Sequence, residues 1–167
     1  VGLPLAVAFG KKGVRVIGFD VDATKVKSLQ NGISYIPDVP TADVSALVKG
    51  KKLSATTDFA LLAECDVISI CVPTPLADGA PDLRFVESAS STVAEHLGPG
   101  SLVVLESTTY PGTTREELLP RLERSGLTVG EGFFLAYSPE RIDPAAQLHH
   151  GHRAQVVEPE TRHGRAQ

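Results

Sequence analysis

The sequence contains no methionine, no tryptophan and only two cysteines among its 167 residues. Two cysteines are too few for a disulfide scaffold, and their spacing is not that of a metal site. No apolar run approaches the ~20 residues that span a bilayer, and no charged and then apolar leader opens the chain. We therefore expect a cytoplasmic protein with no membrane partner.

An excess of basic residues is also missing. Lys and Arg number 16 against 20 Asp and Glu, which gives a formal net charge of −4. Nucleic acids and anionic membrane surfaces attract clustered positive charge, and no such cluster is present, so we expect no nucleic-acid partner. Because methionine is absent and the chain begins with Val1, we expect either a truncated N-terminus or a start codon translated as valine.

Apolar, β-branched segments alternate with segments of helical periodicity over residues 1–144. This alternation predicts an α/β fold, with a doubly wound and mostly parallel sheet covered by helices on both faces. The expected strands span 14–19, 53–56, 66–72, 101–105 and 133–136. The expected helices span 3–11, 22–30, 43–49, 59–63 and 82–97. A last helix, capped by Thr113 or Thr114, is expected to run to about residue 124, where Gly126 ends it. Residues 35–40 and 76–81 are expected to be loops.

Residues 145–167 differ from the rest of the chain. They hold four of the five histidines and three arginines, and they show neither a strand nor a helix period. His149, His150 and His152 would be the candidates for a metal site, but no carboxylate or cysteine lies at a ligand spacing from them. We therefore predict a domain over 1–144, a disordered or out-of-frame tail over 145–167, and no metal.

Gly2 and Asp20 are placed as in a dinucleotide site. Gly2 heads the first helix, where free N–H groups and the helix dipole attract phosphate. Asp20 ends a strand 18 residues later. An acidic side chain at this spacing accepts hydrogen bonds from the ribose hydroxyls of NAD and repels the 2′-phosphate of NADP. The alternative is that Asp20 or Asp22 caps the following helix.

Further polar segments follow other expected strands, where ligands lie in a doubly wound sheet. Thr74 follows 66–72, and Thr108 follows 101–105. Glu140 and Arg141 follow the last strand and would serve as base and anion clamp. Ordinary turn chemistry and a surface ion pair are the alternatives, and spacing alone leaves them open.

The two cysteines have no feature of a nucleophile. Cys71 falls inside the apolar strand 66–72 and is expected to be buried and inert, and Cys65 ends a short helix. Neither has a neighbouring base or a cationic flank that would lower its pKa.

Several segments, in order, carry a family resemblance: VGLPLAVAFGKKGVRVIGFDVDATKV, ISYIPDVP, DVISICVPTPL, LVVLESTTYPGTT and FFLAYSPERIDP. Over about residues 1–144 the chain resembles the N-terminal half of the UDP-sugar 6-dehydrogenases. The forms ESTTYPGTT and AYSPERIDP resemble the UDP-N-acetylglucosamine branch more than the UDP-glucose branch, which is the alternative.

This resemblance implies oxidation of a UDP-sugar C6 alcohol to the carboxylate, with two NAD consumed and a cysteine thioester on the way. The implied cofactor-binding residues are Gly2 as the third fingerprint glycine, Asp20 at the ribose, Lys25 near the adenosine, and Thr74 and Thr108 on the nicotinamide side. Glu140 and Thr108 would be catalytic, Glu140 by orienting or activating the hydrolytic water. Arg141, beside Glu140, would join it in binding substrate.

The chain also departs from the family. The first strand and the first two fingerprint glycines are absent, and the sugar-binding domain with its catalytic cysteine and lysine is replaced by residues 145–167. We therefore expect a fragment without turnover, and a homo-oligomer only for a full-length enzyme. A non-catalytic NAD-binding remnant is the alternative.

Overall fold

The chain divides into two compact units, Val1–Leu61 and Leu62–Gln167. They are named unit 1 and unit 2 below, and each is described by itself. The computed structural model describes residues 2–77, 79–138 and 155–157, the last of these by its backbone.

Unit 1 is a parallel strand pair with three helices. Its elements are α1 (Gly2–Lys11), β1 (Val16–Phe19), α2 (Ala23–Gln30), α3 (Thr41–Lys49) and β2 (Leu53–Thr56). The strands run parallel, with Val16 opposite Leu53 and Phe19 opposite Thr56. Apolar side chains at helical and strand spacing form one core: Leu3, Val7, Val26, Leu29, Val39, Val44, Leu47, Leu53 and Ala55. Val16 at the start of β1 packs against this core.

Two glycines allow close approach around α3. A Cβ at Gly10 of α1 would lie 3.0 Å from the Leu47 side chain. Gly32, just after α2, has φ +71° and its backbone passes so close to Ser45 that a Cβ would lie 3.0 Å from that residue's Cα. Larger residues at these positions would push α1 or the end of α2 away from α3.

Unit 2 begins within a 3₁₀ helix over Phe59–Glu64 and contains most of the strands. Its further elements are β3 (Val67–Ile70), β4 (Leu76–Ala77), β5 (Ala80–Pro81), α4 (Arg84–His96), β6 (Leu102–Leu105), a π-helical turn (Thr114–Leu118), α5 (Leu119–Leu122), a 3₁₀ turn (Glu123–Ser125), β7 (Phe134–Tyr137) and β8 (Gln155–Val157).

The main sheet of unit 2 has the order β3-β6-β7-β8. Strands β3, β6 and β7 run parallel, with Val67 opposite Leu102 and Leu102 opposite Phe134. Strand β6 has the sequence LVVL, and three of its four residues are buried, which fits a parallel strand covered on both faces. The most buried large side chains of the unit are Leu105, Leu118, Leu122, Phe133 and Leu135.

The predicted elements are largely confirmed. The strand predicted over 53–56 matches β2, and the other four predicted strands contain or overlap β1, β3, β6 and β7. Gly126 ends the last helical segment, as predicted, and the structure shows it in the left-handed conformation with φ 84°. Residues 35–40 form neither helix nor strand, as predicted.

Three local predictions are wrong. Thr113 makes no side-chain cap, and its hydroxyl instead donates to the Tyr110 carbonyl at 2.8 Å, because its own backbone is already helical. Residues 76–81 were expected as a loop but contain the short antiparallel pair β4-β5. Cys71 lies after β3 rather than inside a strand and is half-buried, because β3 already ends at Ile70.

The tail and the sheet edges bear on the predicted domain organisation. Strand β8 pairs antiparallel with β7, with Val156 opposite Ala136, although the sequence of the tail shows no strand period. The boundary at residue 144 and the three histidines at 149, 150 and 152 lie outside the described residues.

Among the described strands, β1 pairs only with β2 and β3 only with β6. Strands β1 and β3 therefore each have one open edge.

Candidate functional site

Asp20 lies one residue beyond the carboxyl end of β1. Its N–H donates to the Thr56 carbonyl at 3.3 Å, which continues the β1-β2 ladder past the strand. Its Oδ1 accepts the N–H of Asp22 at 2.9 Å, so the backbone fixes the direction of the carboxylate. The side chain remains 31% exposed. Asp20 therefore presents an oriented and accessible carboxylate at this edge of unit 1.

The structure separates the two roles that the sequence left open for the aspartates. Asp22 Oδ1 accepts the N–H of Thr24 at 2.8 Å, which makes Asp22 the N-cap of α2. This hydrogen bond holds the pKa of Asp22 below its usual value. The capping role belongs to Asp22, and Asp20 does not perform it.

Lys25 and Tyr35 stand beside Asp20, and the three side chains are called the Asp20 cluster below. Lys25 Nζ lies 3.5 Å from Asp20 Oδ2. The same ammonium lies 5.9 Å from the centroid of the Tyr35 ring. Partial burial raises the pKa of Tyr35, and the neighbouring Asp20 carboxylate raises it further. The predicted pair Asp20 and Lys25 is thus brought together, with a tyrosine that the sequence analysis assigned only to a loop.

Unit 2 presents hydroxyl groups at the carboxyl ends of β3 and β6. Thr74 Oγ1 donates to the Thr108 carbonyl at 2.6 Å. Ser107 Oγ donates to the Val72 carbonyl, also at 2.6 Å. Ser107 is buried, whereas Thr108 is exposed. The two hydroxyl groups therefore join the segment after β3 (residues 71–75) to the segment after β6 (residues 106–109). These two segments are called the unit 2 rim below, and the two hydrogen bonds are called its ties. One of the ties brings the predicted residues Thr74 and Thr108 together.

The remaining predicted residues are placed less fully. Gly2 is the first residue of α1, whose first turn carries no acidic side chain. The early N–H groups of a helix have no intrahelical acceptor, which suits an anion. Glu140 and Arg141 lie outside the described residues. The last described residue before them is Ser138, whose N–H donates to the Leu105 carbonyl at 2.9 Å at the carboxyl end of β7.

Sequence reasoning missed Tyr35 and Ser107. Tyr35 belongs to a proline-containing segment without regular periodicity, so nothing local indicated a neighbour ten residues away. Ser107 precedes Thr108 in the segment ESTTYPGTT, and only Thr108 was singled out there. Its tie to Val72 joins residues 35 apart and needs the pairing of β3 with β6.

Two cavities of unit 1 lie apart from the predicted carboxylate. One, of about 450 Å³, is lined by residues that include Arg15, Gln30 and Lys51. The other, of about 340 Å³, is lined by residues of the segment 34–41, including Tyr35. Only the second touches the Asp20 cluster.

The described part of the chain shows neither a metal site nor a membrane-spanning helix. Within it, no group of three or more His, Cys, Asp or Glu side chains is arranged to hold a metal ion. No helix in that part of the chain is both long and apolar enough to cross a membrane.

Comparison with known protein families gives one match that covers most of the chain. Residues 1–157 match the NAD-binding domain of the UDP-glucose/GDP-mannose dehydrogenase family. Among curated relatives, the UDP-N-acetyl-D-glucosamine 6-dehydrogenase of Pseudomonas aeruginosa is 42% identical over 151 residues. That alignment covers 89% of this chain and 35% of the relative, so the chain spans about a third of the relative's length.

Solved structures give the same result. A UDP-D-ManNAc dehydrogenase from Pyrococcus horikoshii matches with a TM-score of 0.79 at 37% identity, over 85% of this chain and 34% of that one. A GDP-mannose dehydrogenase from Pseudomonas aeruginosa, solved as a ternary complex, matches with a TM-score of 0.80 at 32% identity, over the same shares. These likenesses confirm the predicted doubly wound α/β fold, which is of the Rossmann-like type.

Proposed function

The chain belongs to the UDP-glucose/GDP-mannose dehydrogenase family, and we propose that it binds NAD for the oxidation of a UDP-sugar C6 alcohol to the carboxylate. The observation that carries the proposal is the placement of Asp20. Its carboxylate is oriented by the backbone and exposed at the carboxyl end of β1, where a dinucleotide fold binds the adenosine ribose.

The residues at this edge fit a ribose. A carboxylate offers about four lone-pair directions, of which the Asp22 N–H takes one, while the Lys25 ammonium stands 3.5 Å from Oδ2 as an ion-pair partner. The remaining directions suit the two ribose hydroxyls, which are donors. Because Asp22 performs the capping, ligand binding at Asp20 does not compete with the N-cap of α2.

The nicotinamide of NAD supplies the hydride acceptor for both oxidations. The chain's own residues bind and orient. Gly2 leaves room for the pyrophosphate at the head of α1, and Thr74 and Thr108 line the nicotinamide side. The tie from Thr74 to Thr108 supports this assignment, because it holds both rim segments in one arrangement.

The resemblance to the family supplies the catalytic assignments. Glu140 orients or activates the water that hydrolyses the thioester, Thr108 borders the reacting groups, and Arg141 binds substrate beside Glu140. Neither Cys65 nor Cys71 is assigned as the nucleophile. We therefore expect the 167-residue chain to bind NAD without forming NADH from a UDP-sugar, and NADH formation by it would refute that expectation.

UDP-N-acetylglucosamine is the proposed substrate, supported by the 42% identity to a UDP-N-acetyl-D-glucosamine 6-dehydrogenase. UDP-glucose is the alternative sugar, and an NAD-binding remnant without catalysis is the alternative function. We place the protein in the cytoplasm, with no nucleic-acid or membrane partner and with homo-oligomers only for a full-length enzyme.

Replacement of Asp20 tests the cofactor site. Asp20→Ala leaves the ribose hydroxyls without an acceptor and should weaken NAD binding by about 1–3 kcal/mol, measured by titration calorimetry on the whole chain. Asp38→Ala removes an exposed carboxylate of the same unit and serves as the control. Equal affinities of the two variants would remove Asp20 from the site.

A further inference from the structure

Ribose binding by Asp20 does not explain the rest of the Asp20 cluster. Lys25 Nζ lies 3.5 Å from the carboxylate and 5.9 Å from the Tyr35 ring centroid, so one ammonium contacts both other members. Its side chain is 45% exposed, which leaves the ammonium accessible to a ligand on the outer side. The cluster thus holds a cation directly beside the group that selects the cofactor.

The ammonium and the carboxylate have opposite preferences for the two cofactors. A carboxylate accepts hydrogen bonds from a free 2′-hydroxyl and repels a 2′-phosphate. An ammonium at the same place attracts that phosphate as a point charge. While Asp20 is ionised, Lys25 is paired with it. Removal of the carboxylate charge therefore leaves Lys25 beside the 2′ position without its anionic partner.

Tyr35 gives the ammonium a second contact besides Asp20. Lys25 stands over the face of the ring, a contact that depends on the aromatic system and not on the hydroxyl group. The contact does not require the Asp20 charge, so the ring keeps Lys25 near the carboxylate position when that charge is gone.

Building on the proposed function, we propose that the Asp20 cluster is a cofactor-specificity device in which Asp20 masks Lys25, a latent 2′-phosphate ligand that Tyr35 positions. Asp20 therefore acts twice, once by binding the ribose hydroxyls and once by neutralising the only lysine in contact with it among the described residues. The ligand class that the unmasked site takes is a 2′-phosphorylated adenosine, as in NADP.

The first test measures NAD and NADP binding by calorimetry on the whole 167-residue chain. Asp20→Asn keeps an oxygen for the Asp22 N–H and removes the charge, and it should raise the affinity for NADP relative to NAD about tenfold. Asp20→Asn with Lys25→Ala should lose that gain. The matched control is Asp20→Asn with Lys27→Ala, which removes a lysine two positions along α2, a spacing that does not share a helix face, and keeps the gain.

The second test concerns Tyr35. In the Asp20→Asn background, Tyr35→Phe keeps the ring and should retain the gain in NADP affinity, whereas Tyr35→Leu should lose most of it. Absorbance titration of tyrosinate checks the arrangement without any cofactor. The pKa of Tyr35 should fall in Asp20→Asn and rise in Lys25→Ala, because the carboxylate raises it and the ammonium lowers it.

The outcomes separate this inference from the proposed function. A wild-type chain that binds neither cofactor refutes the proposed function and this inference with it. A wild-type chain that binds NAD, together with an Asp20→Asn gain that survives Lys25→Ala, refutes the inference alone. An unchanged Tyr35 titration in both single variants also overturns it, because the three groups would then not be neighbours.

Discussion

Units 1 and 2 each present polar residues at the carboxyl ends of parallel strands, but they hold them in different ways. In unit 1 the Asp20 cluster is charged, partly exposed and joined by an ion pair at 3.5 Å. In unit 2 the contacts at these ends are hydrogen bonds, in which the hydroxyl groups of Thr74 and Ser107 donate to backbone carbonyls at 2.6 Å. Exposed ion pairs stabilise a fold little, whereas buried hydrogen bonds are expensive to lose. The contrast agrees with the proposal that unit 1 selects the ligand, and in unit 2 the hydroxyl groups join the segments after β3 and β6.

The largest effect on this comparison is expected at Ser107. Ser107→Ala removes the donor to the Val72 carbonyl and should lower the free energy of unfolding by about 1–3 kcal/mol, measured by urea denaturation. Ser28→Ala is the same chemical change in unit 1, at an exposed hydroxyl that bonds within α2, and should stay within about 0.5 kcal/mol. Equal losses of unfolding free energy in the two variants would show that the hydrogen bond from Ser107 to Val72 stabilises the fold no more than an exposed one does.

The helix ends of the two units give the next contrast. The last helical segment of unit 2 ends at Gly126 with φ 84°, whereas the chain after α3 places Lys51 at φ 54°. Gly126→Ala should reduce the free energy of unfolding by about 1–2 kcal/mol, because a Cβ disfavours this conformation. Lys51→Gly should raise it by about 1 kcal/mol or less, since glycine relieves the strain but loses more entropy. Chemical denaturation of both variants checks the opposite signs.

Thr74 tests the exposed part of the unit 2 rim. Thr74→Val removes the hydroxyl bond to Thr108 and should lower the free energy of unfolding by about 0.5–1.5 kcal/mol. Thr74→Ser retains a donor and should recover most of the loss. A valine variant as stable as wild type would show that water replaces this tie.

The smallest expected effect is an acid response in each unit. Hydrogen bonds hold the pKa of Asp22 below its usual 3.8, and the Arg84 guanidinium does the same for Asp82. A carboxyl whose pKa is lowered on folding contributes stability above its unfolded pKa, and this stability is lost as the pH falls through the folded value. Melting temperatures should therefore fall below about pH 4, and Asp22→Asn or Asp82→Asn should flatten the decline. An unchanged slope in both would contradict the assignment.

Local sequence patterns predicted most of the elements but not every detail of their ends. β6 was predictable because a central parallel strand needs a continuous apolar run, and LVVL is one. The sequence left two candidates for the N-cap of α2, Asp20 and Asp22, since both offer a side-chain oxygen ahead of the helix. Thr113 does not cap the helix because its own backbone is already helical, and its hydroxyl donates to the Tyr110 carbonyl instead.

The candidate site was predictable in its residue types and not in its contacts. The strand-end positions of Asp20, Thr74 and Thr108 can be read from apolar runs and spacing. The hydrogen bonds between these segments cannot be read from the sequence. Ser107 and Val72, for example, are 35 residues apart and meet only through the pairing of β3 with β6. Tyr35 is hidden for the same reason, since its ring meets Lys25 only after the intervening chain folds back.

The sequence by itself determined the alternation of strands and helices, the acidic residue that ends β1, and the family to which the chain belongs. These features depend on local composition, spacing and motif order. The tertiary structure decided which aspartate caps α2, which lysine pairs with Asp20, and which hydroxyl groups tie the rim of unit 2. Such choices depend on distances of a few ångströms between residues far apart in the chain, and those distances are fixed by strand pairing and packing.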